Sequence, residues 1–210
     1  MEFTPGDLDR KDFYKLLTGT VVPRPIAWVS TVDTQGRPNL APFSFFNVVC
    51  AKPPTVLFCP GVRSTDGSIK DTLKNVAASR EFVINIVTED LAEAMNLTAT
   101  ELPAEVNEFE FAKLTPAPSK TIAAPRVKES PVHIECKLVQ IIEIGGGAVG
   151  SGSIVIGEVS HMHISDEVML PDHKIDTLAL KPLGRLAGPN YSIVREILEI
   201  QRLPTQIKPK

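Results

Sequence analysis

The sequence predicts a mainly β fold, an antiparallel β-barrel with peripheral helices, and three observations lead there. Short apolar and β-branched segments recur between turn clusters in the first 60 residues. Two long alternating stretches, 132–144 and 153–164, flank a glycine-rich turn. Helical patterns are few and short, so they sit at the periphery of the strands instead of alternating with each of them as parallel sheets require. A two-sheet sandwich satisfies the same pattern and stands as the alternative.

Taken in order, Ile26 to Val32 is the first strand, and Asp33-Thr34-Gln35-Gly36-Arg37-Pro38 is a turn that returns the chain into Leu40 to Phe46. Phe45 to Ala51 continues as strand, Lys52-Pro53-Pro54 interrupts it because proline donates nothing to a ladder, and Thr55 to Cys59 is another buried strand. A helix over about Ile69 to Ser79 leads into the strand Glu81 to Val87, and Thr88 with Glu89 and Asp90 starts a further helix to Met95. Residues 96–131 carry five prolines without periodicity, which predicts a long surface excursion. It would leave Phe109, Phe111 and Leu114 without a core, so it is expected to pack over a subunit boundary or a ligand edge.

At 210 residues and 43% hydrophobic content the chain is expected to form one domain, 1–210, with a substantial core. A formal net charge of −3, with no basic stripe interleaved with aromatics, argues against nucleic acid as a partner. The first dozen residues have no apolar run and no later segment is long and apolar enough for a bilayer, so no membrane partner and a cytoplasmic location are expected. Cys50, Cys59 and Cys136 are an odd number at wide spacings, which reads as reduced, mostly buried thiols.

The loop Ser64-Thr65-Asp66-Gly67-Ser68-Ile69-Lys70-Asp71-Thr72 runs straight into the predicted helix and reads as a phosphate cradle: hydroxyls, first-turn amides and one compact cation, Lys70. Its bland counterpart is an N-cap at Ser68 with Asp71 three residues on. Gly145-Gly146-Gly147-Ala148-Val149-Gly150 satisfies the dinucleotide fingerprint in form, but strand-like residues follow where a helix should, so it is a hairpin connection. His161 and His163 share one strand face; a metal β-barrel using them is the weaker reading, since no third ligand lies at an obvious spacing, and no metal site is assigned. Trp28, after Pro23-Arg24-Pro25, is most simply core, although an aromatic beside Arg24 also suits stacking on a flat heterocycle. No nucleophile elbow or histidine–acid pair supports a hydrolase.

Four ordered pieces carry a resemblance: Val22-Pro23-Arg24-Pro25-Ile26-Ala27-Trp28-Val29-Ser30-Thr31; Asn39-Leu40-Ala41-Pro42-Phe43-Ser44-Phe45-Phe46-Asn47; Lys52-Pro53-Pro54; and Lys70-Asp71-Thr72 with Asn75. With Gly157-Glu158-Val159 and Gly184-Arg185-Leu186-Ala187-Gly188 they extend from about residue 13 to about residue 195, and the chain resembles the flavin reductase-like, FMN-binding split-barrel family. The resemblance implies a Greek-key split β-barrel that forms a homodimer with one FMN per subunit. It also implies an oxidoreductase taking hydride from NADH or NADPH and passing electrons to free flavin, oxygen or an acceptor protein. A non-enzymatic FMN electron carrier is the alternative. Ser64, Ser68, Lys70, Asp71 and Thr72 would hold the phosphate, and Arg24, Trp28, Val29, Ser30, Thr31, Ser44, Phe45, Phe46 and Asn47 would line the ring slot. By resemblance alone, His161 is the catalytic candidate.

Overall fold

In the computed structural model, which describes residues 1–207, the chain opens on a helix that sequence reasoning did not anticipate, α1 (Arg10–Thr20). Asp9 caps it, its carboxylate accepting from the Asp12 amide at 2.8 Å. Only Thr18 of this helix is buried, while Tyr14, Leu16 and Leu17 stay exposed, so α1 has apolar side chains without the core-facing stripe that makes a helix legible.

The strands follow the expected order. β1 (Ala27–Val32) and β2 (Pro38–Phe43) form the first hairpin, β3 (Phe46–Ala51) and β4 (Pro54–Phe58) the second. The expected continuous strand through Phe46 is broken at Ser44-Phe45. Next come α2 (Asp71–Ser79), β5 (Glu81–Ile86), a 3-10 turn (Glu89–Leu91), α3 (Ala92–Leu97) and α4 (Glu108–Phe111). After the short pair β6 (Pro116–Ala117) and β7 (Arg126–Val127), β8 (Val132–Ile144) and β9 (Gly152–Ile164) form the long antiparallel hairpin. The glycine run Gly145 to Gly150 is its connection, as the missing helix required. Beyond it lie β10 (Met169–Leu170), β11 (Lys174–Ile175), α5 (Thr177–Leu180), β12 (Leu183–Arg185) and β13 (Tyr191–Ile193).

Seven strands form one sheet in the order β2-β1-β5-β8-β9-β4-β3, every pair antiparallel. Its two edge strands, β2 and β3, are consecutive in the chain and separated only by Ser44 and Phe45. A flat seven-stranded sheet would hold its edges about 28 Å apart at the usual strand spacing of about 4.7 Å, a gap two residues cannot bridge. The sheet therefore curls until its edges approach, and because β2 and β3 do not pair, the cylinder keeps an open seam.

Period two divides the buried side chains into two clusters. Ala27, Val29, Phe43, Phe58, Phe82, Ile84 and Cys136 fill one. Here Gly157 is required, because a Cβ at that position would overlap the ring of Phe82 and crowd Cys136 Cβ at 3.1 Å. Ile26, Trp28, Leu40, Met95, Phe109, Leu114 and Val127 fill the other, on the opposite face of β1. That second cluster corrects the expectation for residues 96–131. Phe109 and Leu114 are buried within their own chain, and only Phe111 stays exposed, so the excursion covers the outer face of β1.

Candidate functional site

The open seam is where the structure leaves room. A cleft of about 600 Å³ lies against the β2–β3 junction, within the volume range of cofactor and small-ligand sites. Pro42, Phe43, Phe45, Val149 and Ile154 give it apolar walls, and Ser44, Ser64 and Lys70 add polar groups. Ser44 is oriented from behind: the buried Arg24 donates from Nε to Ser44 Oγ at 3.3 Å, which leaves the Ser44 hydroxyl hydrogen free to point at an acceptor in the cleft. Arg24 spends three more of its five N–H donors on the carbonyls of Thr18, Val21 and Leu186, and its guanidinium lies 5.8 Å from the Phe45 ring centroid. It is thus a fixture of the wall and not a free ligand for an anion.

Arg10 and Tyr14 of α1 close another side, and the glycine hairpin passes directly over Arg10. Gly150 has φ +101°, and a Cβ there would stand 2.5 Å from Arg10 Cδ, so no other residue fits without displacing that side chain. Both the helix and the loop were missed as site elements. For α1 the Asp9–Asp12 cap was the available signal; for the loop, a wall built of backbone leaves no side-chain signature.

At its polar end the cleft adjoins a smaller pocket of about 220 Å³, with Pro42 and Lys70 lining both. Lys70 is the N-cap residue of α2, yet no side chain caps that helix. The Ser68 capping box is therefore absent: Ser68 instead turns back in an Asx turn, its amide donating to Asp66 Oδ1, and lines a third cavity of about 340 Å³. The Lys70 ammonium has no hydrogen-bond or ion-pair partner among the described residues, and it lies 6.0 Å from the Phe43 ring centroid. Asp71 is no anion ligand. Burial opposes its charge, but Lys74 and Arg63 hold its carboxyl below the usual range, with Arg63 Nη2 at 2.5 Å. It fixes Arg63, a second cation that sequence reasoning missed, at the wall of the smaller pocket. Thr72 lines that pocket but is buried, its Oγ1 accepting from Asn39 Nδ2 at 2.9 Å.

The remaining candidates lie elsewhere. Trp28, Val29, Ser30 and Thr31 are all fully buried in this chain. Trp28 Nε1 donates to Thr98 Oγ1 at 2.8 Å, Ser30 Oγ donates to the Pro125 carbonyl, and Thr31 Oγ1 accepts from Asn39 and Asn75. Their side chains hold the sheet to its covering segments and leave no ring face open to a heterocycle. Phe46 packs against the inner cluster and Asn47 is exposed on β3. Cys50 is exposed, unlike the buried thiol expected, whereas Cys59 lines the cleft and Cys136 is buried.

His161 does not line the cleft. It stands opposite Glu135 in the β8–β9 register, edge-to-face with His163 at 4.5 Å between centroids, at the far end of β9 from the cleft-lining residues Gly152 to Ile154. Glu135 is fully buried and accepts from the Lys120 and Thr121 amides, Thr121 Oγ1 and His163 Nε2 at 2.6–2.7 Å. Burial alone would raise its pKa; those four donors overcome it and hold the carboxyl at about 2. His133 is buried beside Arg126, its Nε2 on the Val127 carbonyl at 2.8 Å, and burial pushes its pKa down to about 4. Among the described residues no group of three or more histidines, cysteines or carboxylates is placed to hold a metal ion.

These two groups set an acid limit on stability. The unfolded chain binds a proton at His133 below its ordinary value of 6.5 and at Glu135 below 4.5, while the native state resists both. Native stability is therefore expected to fall as pH drops from 6.5 to about 4 through His133, and again from 4.5 to about 2 through Glu135. Urea midpoints measured at each pH test this. Glu135→Gln should flatten the lower limb, and a wild-type profile level from pH 7 to 4 would contradict the state assigned to His133.

Similarity to known proteins fits this architecture. The flavin reductase like domain family matches residues 18–178. Nitrilotriacetate monooxygenase component B from Bacillus cereus superposes with a TM-score of 0.90 at 38% identity, covering 95% of this chain and 98% of its own. The 2-nitrobenzoate 2-nitroreductase NbaA of Pseudomonas fluorescens gives 0.86 at 32% identity, covering 100% and 99%. A split barrel domain protein from Shewanella frigidimarina gives 0.83 at 22% identity over 97% of this chain and 100% of its own, which supports the fold alone. A mainly β chain whose seven-stranded sheet curls around an open seam, and whose residues 18–178 match that family, is a flavin reductase-like split-barrel protein and belongs to the flavin reductase like domain family.

Proposed function

We propose that this chain binds FMN in the seam cleft and acts as an oxidoreductase of the flavin reductase type. In that role it would accept hydride from NADH or NADPH and deliver electrons to free flavin, oxygen or an acceptor protein. The observation that carries this reading is the pairing of an apolar cleft of about 600 Å³ with an unpartnered lysine at its polar end. That pairing matches a molecule with a flat heterocycle and a phosphate. Supporting it, nitrilotriacetate monooxygenase component B and a nitroreductase are similar along nearly the whole chain.

Bound FMN would supply the hydride-accepting chemistry. What the chain contributes is position and exclusion of water. Phe43 and Phe45 offer apolar surface for the ring system, Ser44 a hydroxyl held by Arg24, and Lys70 a positive charge with a hydroxyl at Ser64 nearby. We further propose a homodimer. α1 exposes Tyr14, Leu16 and Leu17, and β3 is an edge strand with one free side, exposing Val48 and Val49 next to the β2–β3 junction, a surface that a second copy would cover.

One preparation tests the activity. Purified protein loaded with FMN should show flavin absorbance and bleach anaerobically on addition of NADH or NADPH. Bound flavin that neither nicotinamide bleaches would replace the reductase reading with that of an electron carrier; failure to bind FMN at all would remove both.

A further inference from the structure

The stretch after β13 has an unsolved packing problem. Arg195 anchors it to Glu89 through two hydrogen bonds of 2.6 and 2.7 Å, and then no regular structure follows as far as Ile207. Along it Ile197, Leu198, Ile200, Leu203 and Ile207 are 61–91% exposed. Five large aliphatic side chains on an extended arm make no core of their own, and polar surface alone does not call for them.

We propose that this arm is an exchanged element: in the dimer, residues 196–207 of each copy lie across the α1–β3 surface of the other copy, over the outer rim of its flavin cleft. The inference rests on the homodimer proposed above and adds what holds it together. Reach permits it, since about 12 extended residues span about 40 Å, close to the breadth of a globular chain of this size, whose radius of gyration is about 17 Å. The α1–β3 surface is apolar and unpaired in the same way as the arm: Tyr14, Leu17, Val21, Phe45, Val48 and Val49 are exposed, and the free edge of β3 offers backbone groups to an added extended segment. A single contact between copies thus buries both unsatisfied surfaces, and two-fold symmetry repeats it, as in domain swapping. Charge agrees in sign, because the arm carries Glu196 and Glu199 against Arg202 while α1 displays Arg10, Lys11 and Lys15 against Asp12.

The test uses the intact chain. A photo-crosslinking p-benzoylphenylalanine replaces Leu198 in one copy, which is co-expressed with an unlabelled copy carrying a tag of different mass. Irradiation should join the two different chains, with the cross-link mapping to residues 10–22 or 45–51. Separately, the combined change Ile197→Ser, Leu198→Ser, Ile200→Ser and Leu203→Ser should raise the dimer dissociation constant at least tenfold with an unchanged circular dichroism spectrum, since none of these side chains is buried in the monomer. Cross-links confined to one chain, or a mapping elsewhere, would overturn the arm exchange. So would a combined variant that dimerises as tightly as the wild type. A wild-type chain that light scattering shows to be monomeric would remove the dimer itself, and the two failures are thereby told apart.

Discussion

Trp28→Ala is expected to lower the unfolding free energy by about 3–5 kcal/mol, the cost of emptying a large buried aromatic site. For a chain of this length that is a fall in Tm on the order of 10 °C. Trp28 has no exposed surface, packs among Leu40, Met95 and Phe109, and its Nε1 donates to Thr98 Oγ1. Trp28→Phe should cost much less, about 1–2 kcal/mol, because most of the volume stays and Thr98 still donates to the Met95 carbonyl at 2.8 Å. The measurement that separates core from cofactor contact is FMN affinity of the folded Trp28→Phe protein. It should match the wild type within about twofold; a folded, stable Trp28→Phe protein that bound FMN tenfold more weakly would return Trp28 to the ring slot.

Trp28 also shows how far the sequence could be read. An indole on a strand that follows two prolines, Pro23 and Pro25, has two chemical readings, and what decided between them was residues 96–131. Their prolines concealed a cover for β1, with Phe109 and Leu114 inserted 70 to 90 positions away from the strand they protect. Periodicity reports local order and is silent about which distant segment lands on a given face. The strands themselves were legible because alternation and turn residues are local: the β8–β9 hairpin lies within one residue of its expected bounds. The curl of the sheet was not, since it depends on β2 and β3 standing at opposite edges while only Ser44 and Phe45 separate them in sequence.

The site was legible in part for the same reason. Ser44, Phe45, Ser64 and Lys70 are brought together on one cleft, and they come from segments whose composition alone distinguishes them. Arg24 lies behind the wall, where a guanidinium spending its donors on backbone carbonyls reads in sequence like one reserved for a ligand. Asp71 is the reverse case. In sequence it is an acid at a helix start, and in the fold it aims Arg63 at the pocket.

Lys70→Ala is expected to weaken FMN binding by about tenfold to a hundredfold, the equivalent of about 1.5–3 kcal/mol for a charge-assisted hydrogen bond. FMN phosphate carries about −1.5 to −2 charges near neutral pH, and Lys70 is the cation without a side-chain partner that lines both the larger cleft and the polar pocket adjoining it. Riboflavin has the same ring and no phosphate, so its affinity should change little. Stability should change little too, because the Lys70 side chain caps nothing and the backbone carbonyl that does accept, from the Leu73 and Lys74 amides, survives the substitution. Thr72→Ala should show the opposite signature. Its hydroxyl accepts from the half-buried Asn39 amide, which keeps its second bond to Thr31 Oγ1, so its loss should cost about 0.5–1.5 kcal/mol of stability, and FMN and riboflavin binding to the folded protein should shift together or not at all. Titrations of both flavins against both variants, beside melting curves of the apo-proteins, decide the matter. If Lys70→Ala weakened the two flavins equally, the positive charge would be serving something other than a phosphate, and the polar end of the cleft would need a different ligand.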